Sequence, residues 1–166
     1  MFTIGILTMS DKGSRGERVD VSGNQVMRDI VTAAMDCRVV KYEMIPDEKD
    51  IIAKTLAAWS DEGTIDVILT TGGTGLTPRD VTPEATLSII DKEVPGIPEA
   101  VRVGTLSKTP MAMLSRAVAG VRKKTLIINM PGSPKAVREY LEILVTAIPH
   151  AVQMMKGADT EHRETK

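Results

Sequence analysis

Apolar residues run almost unbroken through Phe2-Thr3-Ile4-Gly5-Ile6-Leu7-Thr8, the pattern of a strand covered on both faces. Beyond a polar, glycine-containing segment, Val26, Ile30, Ala34 and Cys37 recur at helical spacing behind Ser22, which reads as a helix N-cap. A second strand, Arg38 to Ile45, follows at once. Pro46-Asp47-Glu48 then opens a helix with Ile52, Leu56 and Trp59 on one side, and Ile65-Asp66-Val67-Ile68-Leu69 reads as the next strand. Downstream, Pro83 to Ile90 and Pro98 to Leu106 read as helices, and Lys124 to Met130 as another buried strand. Ser133 and Pro134 occupy the N-cap and first position of a last helix. Its stripe is Val137, Leu141, Leu144, Ile148, Val152 and Met155, and Pro149 kinks or splits it.

Strand and helix alternating in this way predict an α/β fold with a mostly parallel sheet, right-handed crossovers and a ligand crevice at the carboxyl ends of the strands. Ser10 to Gly23, Pro46-Asp47 and the segment after Leu69 all leave strand C-termini, so the topology makes them converge. The last of these, Thr70-Thr71-Gly72-Gly73-Thr74-Gly75-Leu76-Thr77-Pro78-Arg79-Asp80, carries the strongest chemistry. Its glycines let backbone N–H groups approach a ligand closely, its threonine hydroxyls add donors, and Arg79 supplies a cationic fork, a combination suited to phosphate. It is neither a Walker A loop nor a dinucleotide fingerprint, lacking Gly-Lys-Ser/Thr and the last glycine of the latter. Asp80 beside an anion loop is repulsive unless a cation intervenes, which suggests Mg²⁺ bridging Asp80 to phosphate oxygens. The alternative is a plain strand-to-helix turn in which Asp80 or Thr82 caps a helix near Pro83. Asp47, after Pro46, has the same two readings of cap and metal ligand. Lys135, at the positive end of a helix, either meets a bound anion or stands exposed in solvent.

The chain has 166 residues, long enough for one domain, expected over 1–156 with a polar tail over 157–166. Its 21 basic and 22 acidic side chains nearly cancel, and aromatic residues are scarce, which argues against a nucleic-acid partner. No stretch is long and apolar enough for a bilayer, and Met1 to Met9 lacks the features of a signal peptide. The single Cys37 reads as a structural thiol compatible with a reducing cytoplasm. His150 and His162 fall outside every motif.

The motifs together resemble the molybdenum-cofactor biosynthesis family that includes bacterial molybdopterin adenylyltransferases and the related domain of gephyrin-type proteins. The resemblance spans nearly the whole chain. It rests on Leu7-Thr8-Met9-Ser10-Asp11, Gly16 to Gly23, Ile45-Pro46-Asp47-Glu48, Thr70 to Gly75 continuing through Arg79-Asp80-Val81-Thr82-Pro83-Glu84-Ala85-Thr86, Leu114-Ser115-Arg116, and Asn129 to Lys135. The family implies a three-layer sandwich with helices on both faces of the sheet, a homotrimer, and transfer of AMP from ATP to molybdopterin with Mg²⁺ and release of pyrophosphate. It further implies phosphate binding by Thr71, Gly72, Gly73, Thr74, Gly75 and Arg79, and an essential acidic pair, Asp47 and Asp80, near the metal. Ser115, Arg116, Ser133 and Lys135 would hold the pterin, with Ser10, Asp11 and Asp20 as further transfers. A metal-inserting enzyme would be the partner, and its own longer multidomain build sets this chain apart from it. A relative that binds the pterin without catalysis is the competing reading; retention of both Asp47 and Asp80 favours the enzyme.

Overall fold

The structure is a computed structural model, and it describes residues 1–157. Of the tail expected over 157–166, all but Gly157, and His162 with it, lies outside the described residues. Strand β1 (Phe2–Met9) leads into a single helical turn, α1 (Asp11–Ser14), then a π-helical segment, Ser22–Met27, continued by α2 (Arg28–Ala34). Strand β2 (Cys37–Ile45), helix α3 (Lys49–Asp61), strand β3 (Val67–Thr71) and helix α4 (Thr82–Leu87) follow. The rest comprises β4 (Lys92–Glu93), α5 (Gly96–Leu106), a 3₁₀ turn over Pro110–Leu114, β5 (Ala119–Arg122), β6 (Thr125–Met130), α6 (Pro134–Leu144) and α7 (Ala147–Met155).

The strands form one six-stranded sheet in the order β2-β1-β3-β6-β5-β4. The four strands from β2 to β6 in that order run parallel, whereas β5 is antiparallel to both β6 and β4. Successive side chains of a strand point to opposite faces, and both faces are buried: Ile4, Ile6, Val67, Leu69, Leu126 and Ile128 pack in one core with Val31, Leu141 and Ile148. Leu7, Met9, Ile68 and Ile127 pack in the other with Ile52, Leu56 and Trp59. This is the expected three-layer α/β sandwich. Gly5 faces the second core because a Cβ there would stand only 3.0 Å from the Trp59 ring.

Several local expectations change. Ser22 does not cap the helix; its hydroxyl donates to Gly132 O at 2.8 Å. Asp20 takes the capping task, accepting from the amides of Gly23 (2.8 Å) and Asn24 (3.2 Å). The helix ends at Ala34, since Met35 is already extended, so Cys37 opens β2, where its half-buried thiol donates to Val31 O and is pushed up chiefly by burial. The split expected in the last helix is present, at Val145-Thr146 ahead of Pro149, which occupies the first turn of α7, where a missing N–H leaves no bond unmade.

Candidate functional site

Where β1, β2 and β3 end, three loops enclose a polar groove of about 300 Å³. The first two are tied by a reciprocal pair. Asp11 N donates to Asp47 Oδ2 (3.0 Å) and Asp47 N to Asp11 Oδ1 (3.1 Å), so neither carboxylate caps α3, whose N-cap, Glu48, makes no side-chain capping bond.

The third loop is held by what glycine alone permits. Gly72 (φ +97°) and Gly73 (φ +66°) adopt left-handed backbone. A Cβ on Gly72 would lie 2.5 Å from Met9 O, and one on Gly73 would lie 2.3 Å from Thr82 Oγ1. Buried Thr82 donates from its hydroxyl to Gly72 O (3.0 Å) and from its amide to Gly73 O (3.1 Å). The threonine hydroxyls are largely committed inside the protein rather than offered to a ligand. Thr70 Oγ1 accepts from Asn129, Thr71 donates to Pro131 O at 2.6 Å, and Thr77 donates to Asp80 at 2.6 Å. Among the described residues, the Gly73 and Thr74 amides donate to no protein acceptor, so the loop's uncommitted donors are backbone groups rather than hydroxyls.

Asp47 and Asp80 come together at this loop. A Cβ on Gly73 would be 3.3 Å from Asp47 Oδ1, and one on Gly75 would be 3.0 Å from Asp80 Oδ2. Their electrostatics differ. Burial pushes Asp47 above the ordinary carboxylate range, and the negative charges of Asp11 and Asp80 add to this against the Asp11 amide and Arg79. Burial also raises Asp80, but the hydroxyl and amide of Thr77, the amide of Gly75 and the charge of Arg116 outweigh it and hold the carboxyl below that range. Two carboxylates at one glycine loop, one of them disfavoured as an anion, suit Mg²⁺, which takes one or two protein carboxylates and completes its shell with water and substrate phosphates. No closed set of three acidic, histidine or cysteine ligands exists among the described residues.

Arg79 lines the groove with its fork engaged: Nε and Nη2 grip Asp11 at 3.0 and 2.9 Å, and Nη2 also reaches Glu48 at 2.9 Å. Behind the glycine loop lies a second, mostly apolar cavity of about 420 Å³, with Thr74, Gly75 and Leu76 on one wall and Met111, Leu114 and Tyr140 among the others. Ser115 lines it; Arg116 lines neither cavity. Ser133 caps α6, accepting from Ala136 N at 3.2 Å, and exposed Lys135 stands in the first turn of that helix. Of their neighbours, Gly132 lines the first cavity and Ala136 the second.

Arg18 and Asp20, both in the Gly16 to Gly23 segment, line the polar groove. Buried Asp20 is fixed by hydroxyls of Thr8 (2.5 Å) and Tyr42 (2.9 Å), and burial with the nearby carboxylate drives the Tyr42 phenol upward. Asp20, three residues ahead of Gly23, fills the cap position for which the local pattern points to Ser22.

Residues 5–150 match the family profile described as a probable molybdopterin binding domain. The chain is 43% identical over 154 residues to a molybdopterin adenylyltransferase of Helicobacter pylori J99, covering 93% of this chain and 88% of that protein. It is 41% identical to gephyrin of Dictyostelium discoideum, over 93% of this chain and 22% of that much longer protein. Its fold superposes with a TM-score of 0.87 on the molybdopterin biosynthesis enzyme MoaB of Thermus thermophilus, at 52% identity, covering 95% of this chain and 98% of that one.

Proposed function

The chain belongs to the molybdopterin-binding-domain family, and from that premise we propose that it transfers AMP from ATP to the phosphate of molybdopterin with release of pyrophosphate. The observation that carries this reading is the placement of Asp47 and Asp80 against one glycine loop whose Gly73 and Thr74 amides are uncommitted.

The acceptor is a phosphate monoester. Its second pKa is about 6, so it is already largely dianionic at neutral pH and needs no general base. This agrees with a groove lined without histidine. The demand on the protein is to hold mutually repelling phosphates in line. Gly73 and Thr74 amides would receive phosphate oxygens, and Arg79 adds positive charge at the rim. Asp47 and Asp80 would hold Mg²⁺, which when bound supplies charge neutralisation between the phosphates and at the departing pyrophosphate. The apolar second cavity, with Ser115 at its edge, suits a flat heterocycle, and Lys135 with the α6 N-terminus suits an anion beside it. The same reading extends to a homotrimer working in the cytoplasm and passing its product to a metal-inserting enzyme; exposed Leu76, Met111 and Met113 support self-association.

Single-turnover incubation of the protein with molybdopterin, ATP and Mg²⁺ tests the assignment. Adenylylated pterin with stoichiometric pyrophosphate is expected, and Asp80→Asn should abolish product while retaining pterin binding. Tight pterin binding by the native chain without product would make it a binding module instead.

A further inference from the structure

Arg116 lies in the extended stretch between the 3₁₀ turn and β5, and the loop is built around it. Its backbone N donates to Thr74 O (3.0 Å), Nε to Gly75 O (2.7 Å), and Nη2 to Asp80 O (2.5 Å). Nη1 pairs with the carboxylate of Glu84 in the first turn of α4, with a longer contact from Nη2 at 3.4 Å. These bonds occupy most of the five N–H donors a guanidinium has. The side chain is about two-thirds buried and borders neither cavity.

The partners matter more than their number. The Arg116 amide holds Thr74 O, while its side chain alone bridges the Gly75 and Asp80 carbonyls at the two ends of the segment leading to Asp80 and anchors that arc to α4. Within that arc Asp80 turns its carboxylate back onto the amide (2.8 Å) and hydroxyl (2.6 Å) of Thr77. Its direction is therefore fixed by the backbone path from 75 to 80. A lysine could retain the charge but not reach two carbonyls and a carboxylate together, because only the planar fork has donors in those directions.

We propose that the Arg116 side chain, held by Glu84, is a positioning group that fixes the Asp80 carboxylate through the backbone from Gly75 to Asp80 for adenylyl transfer and does not itself bind the pterin. The inference rests on the adenylyltransferase reading for its kinetic consequence, but not for its structural one. Misplacing a reacting group by about 1 Å costs on the order of 100-fold in rate, whereas the solvent-accessible side of the clamp lets water satisfy the freed carbonyls and limits the loss of stability.

Arg116→Lys and Glu84→Gln are the test variants. Each should lower kcat by roughly 10- to 100-fold, with the KM for molybdopterin and its equilibrium affinity without ATP, read by pterin fluorescence, changed by less than about threefold. Tenfold weaker pterin binding with kcat retained would make Arg116 a substrate contact and overturn the proposal, as would kcat and KM both unchanged. Amide hydrogen exchange provides the arm that needs no turnover: protection in residues 73–80 should fall in both variants while β1, β3 and β6 keep theirs. Unchanged exchange across 73–80 would overturn the clamp even if the native chain formed no product. Should Arg116→Lys fail to fold, Glu84→Gln carries all these measurements.

Discussion

Gly72→Ala isolates the close approach on which the glycine loop depends. The residue sits at φ +97°, and a Cβ would lie 2.5 Å from Met9 O, a backbone atom that no rotamer change can remove. Left-handed backbone costs an L-residue roughly 1–2 kcal/mol, and forcing a methyl into a packed site adds about 1–3 kcal/mol. Relief requires β1 and β3 to part at their carboxyl ends, which also strains the Gly72 N to Met130 O bond (3.3 Å). A domain of this size loses about 2–4 °C of Tm per kcal/mol, so the variant should melt on the order of 10 °C lower. Gly16→Ala is the control. Gly16 has φ +75°, but its Cβ would meet nothing within 4 Å, so only the conformational part remains and the loss should be a few degrees. Thermal unfolding followed by circular dichroism on the two variants side by side measures the difference. Equal Tm values within a degree would refute the argument that the loop is pinned against the end of β1.

Asp47→Asn should raise Tm at pH 7 while abolishing Mg²⁺-dependent transfer. The folded pKa is raised, so the native state holds this proton more tightly than the unfolded chain, and the ionised group detracts from stability above its native pKa. The gain should therefore shrink as pH falls toward 4, and a lower Tm for the variant at pH 7 would show that the carboxylate is structural. Asp61 presents the opposite sign: hydrogen bonds from Arg122 and Lys123 hold it down at about 2, so its contribution is present above the ordinary value and lost as pH falls from about 4 to about 2. Asp61→Asn should then melt below the native protein at pH 7 and converge with it near pH 2; parallel curves across that range would contradict the pairing.

The parallel half of the sheet was legible because buried parallel strands carry long apolar runs and their crossovers carry helical periodicity, as in Ile4 to Leu7 and Ile52 to Trp59. The antiparallel half was not. β4 is two exposed residues, and the β5–β6 turn relies on Lys123 at φ +51°, whose amide donates to Asp91 Oδ2 at 2.6 Å, a tertiary bond that replaces an Asn-Gly or Asp-Gly signal. Asp47 was misread locally as a possible helix cap for a related reason: its partner, Asp11, lies 36 residues away, and no spacing rule reaches that far. The convergence of the three loops could be read from strand order alone. Which hydroxyls and guanidinium donors those loops leave available depended on contacts that only the folded chain defines.

Arg79 and Arg116 differ in the donors they leave available. Both lie in motifs, and in sequence both are arginines awaiting an anion. In the structure Arg116 divides its donors among backbone carbonyls and Glu84 inside the protein, and removing it would leave the loop without its strap. Arg79 instead forms exposed pairs, about half accessible, with Asp11 and Glu48, and its Nη1 has no bond among the described residues. An exposed pair of this kind contributes about 0–1 kcal/mol, so giving up Glu48 for a phosphate oxygen, itself a charge-assisted partner, costs the fold little and leaves the two-bond grip on Asp11 intact. Under the proposed reaction Arg79 can serve the substrate without disturbing the Asp11–Asp47 pair, while Arg116 cannot serve it without releasing Asp80.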